Sequence, residues 1–189
     1  MVGQWGTNEP IHAFLYSNGT MTSLPEPGFT GGFGCAADAV NNTGQIAGEC
    51  LDTSGNAHLV LWQNGAVTDL DTPGTGTFLQ AISINNNGQI AGTVFTGGTS
   101  EGFLYSNGTI TSLGSFLAAS INDHGVMVGG PSIDSAGTVQ NLNTLIPAGS
   151  GYQIQNATAI NDNGQIVANT SSNHALLLTP SWPPRSERW

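Results

Sequence analysis

The sequence predicts an all-β fold: a β-propeller-like array of four-stranded repeats, with five blades the most economical count. Three observations carry this. The first is a motif, Ala37-Asp38-Ala39-Val40-Asn41-Asn42-Thr43-Gly44-Gln45-Ile46-Ala47-Gly48, that recurs over 81–92, 118–129 and 157–168. The second is an alternating motif, His12-Ala13-Phe14-Leu15-Tyr16-Ser17-Asn18-Gly19, which returns from His58, from Glu101 and in clipped form from His174. The third is local: short apolar alternations are separated by Asn-x-x-Gly or Asn-Gly pairs, and no 3.6-residue stripe appears.

Each motif reads as a β-hairpin, because Asn and Gly tolerate the positive φ that tight turns require. Two hairpins per repeat of about 40 residues make four short strands, the pattern of a propeller blade. In chain order, 3–24 supply the last three strands of a first repeat. Residues 36–70, 81–113 and 118–142 supply three more, and 157–178 the first three strands of a fifth. Such a set forms a five-bladed ring if the terminal pieces meet to close it; a stretch of a longer array would read the same way. One repeat domain therefore spans 1–178, followed by a tail over 179–189.

Composition narrows the function. The chain has 189 residues, 12 acids and a net charge of −10; its only two cations are Arg185 and Arg188. Nucleic-acid binding needs cations against phosphate, and an anionic membrane surface would repel this chain. No apolar run approaches the ~18 residues of a membrane helix. The first residues lack the basic and apolar regions of a signal peptide, and the chain begins within a repeat.

The alternation of Ala-x-x-Ile-Asn-x-x-Gly-Gln-Ile-x-Gly with His-Ala-Phe-Leu-Tyr-x-Asn-Gly, seen at 81–92 and 12–19, resembles the bacterial extracellular HAF-repeat family over roughly 1–178. The resemblance implies secretion and a propeller-like array, and carries no defined activity. Members often end in a Pro-Glu-Pro-type sorting segment; here Ser181–Trp189 has no apolar anchor.

Candidate sites come from departures from the repeat. A tight turn at Asn42-Thr43 would oppose Val40 to Gln45, Asp38 to Ala47, Ala36 to Glu49 and Cys35 to Cys50. Directly opposed cysteines lie within disulfide range, so a Cys35–Cys50 bridge is predicted, the alternative being two packed thiols. The same register puts Asp38 and Glu49 on one face as diagonal neighbours. Other repeats hold Ile82, Ala119 and Thr158, or Thr93, Gly130 and Asn169, in these slots. Two such carboxylates suit a glycosidase acid and its base or nucleophile; the bland reading is a solvated or backbone-bonded pair at a blade edge.

His12, His58 and His174 share one slot, with Glu101 in the fourth copy. Ring geometry keeps equivalent positions too far apart to ligate one metal, so each His is expected to bond a neighbouring strand or loop, and Glu101 to be exposed. Asp52-Thr53-Ser54-Gly55-Asn56 spaces oxygens like the start of a calcium loop but lacks the distal bidentate Glu. No metal or other cofactor is expected. Trp62 aligns with Tyr16 and Tyr105 as a core aromatic; Trp5 lies outside that pattern and is the better ligand candidate. The sequence thus predicts an extracellular module that binds neutral glycans, with Trp5 and Glu101 as ligand residues. The rivals are a polysaccharide hydrolase using Asp38 and Glu49, and a purely structural surface protein.

Overall fold

The computed structural model describes residues 1–6, 11–28, 33–70 and 78–181. Among these, the chain forms five antiparallel sheets in succession. Blade 1 has three strands, β1 (Val2–Trp5), β2 (His12–Ser17) and β3 (Thr20–Ser23). Blade 2 has β4 (Gly34–Val40), β5 (Ile46–Leu51), β6 (Ala57–Gln63) and β7 (Ala66–Asp69). Blade 3 has β8 (Phe78–Ile84), β9 (Ile90–Thr96), β10 (Thr99–Ser106) and β11 (Thr109–Gly114). Blade 4 has β12 (Ser120–Ile121), β13 (Met127–Gly129), β14 (Ser132–Ser135) and β15 (Thr138–Asn141). Blade 5 has β16 (Ile154–Ile160), β17 (Ile166–Thr170) and β18 (Ala175–Leu178). The sole helical element among the described residues is one 3-10 turn, Leu142–Thr144.

The blades stack through their inner strands: β1 packs on β4, β4 on β8, β8 on β12 and β12 on β16. The terminal sheets stay separate, so no shared sheet of the terminal strands closes the array among the described residues. Each seam holds a small apolar core. Ala47, Leu59, Leu79, Ala81, Ile90 and Phe103 fill the seam between blades 2 and 3, and Ala13, Cys35, Cys50, Val60 and Trp62 that between blades 1 and 2. Each inner blade is thus buried on one face by one neighbour and on the other by the next.

The repeated glycines answer to packing as well as to turns. At Gly92 a Cβ would strike the carbonyl of Gln80 on β8 and the ring of Phe103, which stands opposite on β10. At Gly48 it would meet Ala36 and the Trp62 ring. The fifth repeat carries Ala168 here and faces Leu176 instead of an aromatic ring. Trp62 is accordingly a core aromatic, 2% exposed, and its Nε1–H donates to the Pro25 carbonyl at 2.7 Å.

The Asn-x-x-Gly turns do more than reverse the chain. Asn41 Oδ1 accepts from Thr43 N and Gln45 N, which closes its own turn. Asn41 Nδ2 then donates to the Asn85 carbonyl in the next blade at 2.8 Å. Asn85 repeats this to Asn122 at 2.9 Å, and Asn122 to Asn161 at 3.0 Å. One residue on, the backbone N–H groups of Asn42, Asn86 and Asp123 donate to the side chains of Asn86, Asp123 and Asp162. A ladder of side-chain bonds thus joins blades 2 to 5. Each rung contributes about 0.5–1.5 kcal/mol net, in a chain without Lys or Arg before position 185 to form salt bridges.

Candidate functional site

The predicted disulfide is formed. Cys35 and Cys50 are paired across β4 and β5 with Cα atoms 4.0 Å apart, and both are buried. The register that led to it is correct only in part. Val40 pairs with Ile46 and Ala39 with Ala47, because the turn Asn41–Gln45 has an odd number of residues, closed by Asn41 N–H to the Gln45 carbonyl. A bulge at Asp38 then shifts the ladder back, so Ala36 meets Glu49 and Cys35 meets Cys50 as expected. Asp38 opposes no residue; it is the extra residue of the bulge. The same bulge recurs at Ile82 and Thr158, so it belongs to the repeat.

Asp38 and Glu49 nevertheless meet in one place. Glu49 stands opposite Leu59, on the face that packs against blade 3. Asp38 accepts a hydrogen bond from the Ala81 N–H of blade 3. Burial pushes the Glu49 carboxyl up to about 8, and the Asp38 charge adds to that. Burial also raises Asp38 to about 6, against the lowering effect of the Ala81 bond. Asp38 as a whole residue is exposed, although its carboxyl is partly desolvated by the seam. Glu49 Oε2 is buried without a hydrogen-bond partner. Neither acid lines the groove beside Glu101 or the cleft between blades 4 and 5, and the pair lies in the seam between blades 2 and 3.

The His slot is filled as expected. His12 Nδ1 lies 2.9 Å from Glu26, His58 Nδ1 lies 3.0 Å from Asp69 on the adjacent strand, and His174 Nδ1 lies 3.0 Å from the Ser172 hydroxyl. In blade 3 the corresponding pair is Glu101 and Ser112, with Ser112 Oγ 3.5 Å from Glu101 Oε2. Glu101 is exposed. It lines a groove of about 750 Å³ where the outer strands of blade 3 diverge from blade 2. Leu70, Val94, Phe103 and Ile110 form the apolar floor, and the hydroxyls of Thr96, Thr99, Thr109 and Ser112 stand beside the carboxylate. The replacement of His by Glu flagged this groove in the sequence. Its threonines did not stand out, because alternation alone does not say which exposed face lies over a gap.

Trp5 is 51% exposed, with its ring tilted against His12 at a centroid distance of 5.1 Å. It belongs to blade 1, and it is not among the residues that line the blade 3 groove with Glu101. Asp52 is committed to its own turn: Oδ1 accepts from Ser54 N and Asn56 N, and Oδ2 from Asn56 Nδ2. These bonds, the Asn56 side chain first, hold its carboxyl down at about 2. Among the described residues, no cluster of three or more His, Cys, Asp or Glu side chains is placed to hold a metal. Arg185, Arg188 and most of the tail lie outside the described residues.

No family model matches the chain, and no curated relative matches it in sequence. Solved structures do match in shape. TolB from Acinetobacter baumannii superposes with a TM-score of 0.55 at 13% identity, over 95% of this chain and 53% of that one. Virginiamycin B lyase from Staphylococcus aureus aligns at 13% identity with a TM-score of 0.47, over 92% of this chain and 64% of that one. The chain therefore spans between half and two-thirds of the length of these proteins. The likeness to TolB, with the five successive antiparallel sheets, establishes a β-propeller fold.

Proposed function

We propose that this chain is an extracellular binding module for neutral glycans, and that the blade 3 groove holds the sugar. The groove itself carries the reading: a carboxylate and four hydroxyls stand around an apolar floor, with no cation. Sugars present apolar C–H faces and a rim of hydroxyls, which such a lining complements. Glu101 would accept from two sugar hydroxyls, and an anionic ligand would meet its charge unfavourably. The formed disulfide fits an oxidising compartment, and the resemblance to HAF-repeat proteins points the same way. Trp5 offers a separate stacking surface on blade 1.

The test is binding to an immobilised panel of neutral and acidic glycans. Glu101→Gln should weaken binding of a neutral glycan by about 10-fold or more, the worth of a hydrogen bond to a charged group. Asp38→Asn should leave binding unchanged. Binding restricted to acidic glycans, or a Glu101→Gln variant that binds like the parent, would refute the assignment.

The hydrolase alternative has one feature in its favour: Glu49 is desolvated beside a second carboxyl, and both effects push its carboxyl upward, the direction a general acid requires. Turnover of chromogenic glycosides that is lost in both Asp38→Asn and Glu49→Gln would favour it over a binding role.

A further inference from the structure

The blade turns share an internal bond that one blade lacks. In blades 2, 3 and 5 the first Asn of the turn donates Nδ2–H to the side-chain oxygen of the turn's Gln. The distances are 2.7 Å for Asn41–Gln45, 2.7 Å for Asn85–Gln89 and 2.9 Å for Asn161–Gln165. In blade 4 the Gln position is Val126. Asn85 Nδ2 makes two bonds, to Gln89 and to the Asn122 carbonyl. Asn122 Nδ2 makes only one, to the Asn161 carbonyl. Asn122 is 4% exposed, so one N–H of a buried amide lacks an acceptor among the described residues. Leaving such a donor unmade is unfavourable, and the space in front of it calls for an acceptor.

The lost side chain also leaves room. Between blades 2 and 3 the Gln45 amide lies 3.4 Å from the Cβ position of Gly88, and between blades 3 and 4 Gln89 lies 3.3 Å from that of Gly125. Between blades 4 and 5 the matching Gly164 meets Pro180, and a cleft of about 870 Å³ remains beside it. Val126, Ile133 and Ile160 give it an apolar wall, and Asn122, His124, Asp162 and Gln165 are among its polar lining residues. Its size is that of a small-molecule site.

We infer that this cleft binds a neutral amide, specifically the acetamido group of an N-acetylated amino sugar. The acetamido carbonyl accepts the hydrogen bond from Asn122 Nδ2–H that the Gln oxygen accepts in the other turns. The acetamido methyl lies against Ile133 and Ile160. The sugar hydroxyls reach Asp162 Oδ2 and Gln165 Nε2, since Asp162 Oδ1 already accepts from Asp123 N and Gln165 Oε1 from Asn161. A bare carboxamide would leave most of the cleft empty, and an anionic ligand would face Asp162 with no Lys or Arg, and only the His124 imidazole, to offset the repulsion. The inference concerns a different seam from the blade 3 groove and does not depend on it.

The experiment is titration of the isotope-labelled chain with N-acetylglucosamine, glucose and propionamide, followed through the side-chain amide signals in ¹H–¹⁵N spectra. N-acetylglucosamine should shift the Asn122 amide saturably, and glucose should not. Val126→Gln restores the repeat's own plug. It should raise the melting temperature and weaken N-acetylglucosamine binding at least 10-fold, while Val126→Ala should retain it. Propionamide binding as tightly as the sugar would overturn the sugar assignment. No shift with any probe would mean that water alone satisfies Asn122, and unchanged binding in Val126→Gln would place the ligand elsewhere; either result overturns the proposal. Glu101→Gln should leave this titration unaltered, which separates it from failure of the blade 3 reading.

Discussion

Replacing Glu49 by Gln should make the protein more stable at neutral pH and remove much of its pH dependence. The Glu49 carboxyl is raised from 4.5 to about 8, chiefly because the seam between blades 2 and 3 strips its hydration, and next because the Asp38 charge stands beside it. A raised pKa means that the folded state holds the proton more tightly than the unfolded state. The folded state is therefore favoured most below pH 4.5 and loses that advantage as pH climbs toward 8. At pH 7 the unfolded chain ionises Glu49 freely and the folded chain does not, a difference of about 3 kcal/mol. Glu49 keeps some contact with solvent, so about 2 kcal/mol is the working figure after screening. For a domain of this length that corresponds to roughly 4–8 °C in melting temperature.

The assay is thermal unfolding of parent and Glu49→Gln in a pH series from 4.5 to 8. The parent should lose stability across the series, and the variant should lose much less. Glu101→Gln supplies the control, because it removes the same unit of charge from an exposed site and so reports on general self-repulsion in a chain of net charge −10. A parent with equal melting temperatures at both ends would refute the argument. So would a Glu49→Gln variant whose slope matches that of Glu101→Gln.

Two further outcomes are expected. Reducing Cys35–Cys50 opens a loop of 15 residues and should cost on the order of 3 kcal/mol in the chain-entropy account, read as a lower urea midpoint; an unchanged midpoint would show that the hairpin holds its register without the bridge. Ala136 occupies the first turn position between β14 and β15 at φ +53°, where Asn18, Asn64 and Asn107 sit in the other repeats. Ala136→Asn should therefore raise stability by about 0.5–1 kcal/mol, and a loss of stability would refute the turn assignment.

Much of the fold was legible because turn chemistry and strand alternation are local. Asn18-Gly19, Asn64-Gly65 and Asn107-Gly108 adopt the positive φ values that their identity predicts, and the strands fall between them. The register was legible only in part. A one-residue bulge at Asp38 leaves no mark in an alternating pattern of small residues such as Ala36, Ala37 and Ala39, and an odd turn happens to offset it. The ladder between blades was not read at all. A turn alone requires Asn41 Oδ1, and nothing local says that Nδ2 reaches Asn85, 44 residues away. The unvarying Asn at 41, 85, 122 and 161 was the available signal, since turn geometry alone would tolerate Asp or Ser there.

Repetition also decides where function can arise in such an array. A residue that recurs from blade to blade and bonds to the next one, as Asn41, Asn85 and Asn122 do, is committed to holding the stack. Chemistry is open only where a copy departs from the rule, and each departure here leaves something unmet. Glu101 replaces the bonded His, keeps only the long Ser112 hydroxyl contact, and stands exposed over a groove. Glu49 replaces Thr, Gly or Asn and buries an oxygen without a partner. Val126 replaces Gln and leaves both a cleft and an unanswered N–H. These departures are not equivalent. A buried carboxyl can meet its need by keeping a proton, which makes Glu49 a determinant of stability. A vacant amide N–H beside open space takes its acceptor from outside the chain, as water or as a ligand. On that ground Asn122 and Val126 mark a better place to look for a ligand than the carboxylate pair, although in the sequence the acids stand out and the valine does not.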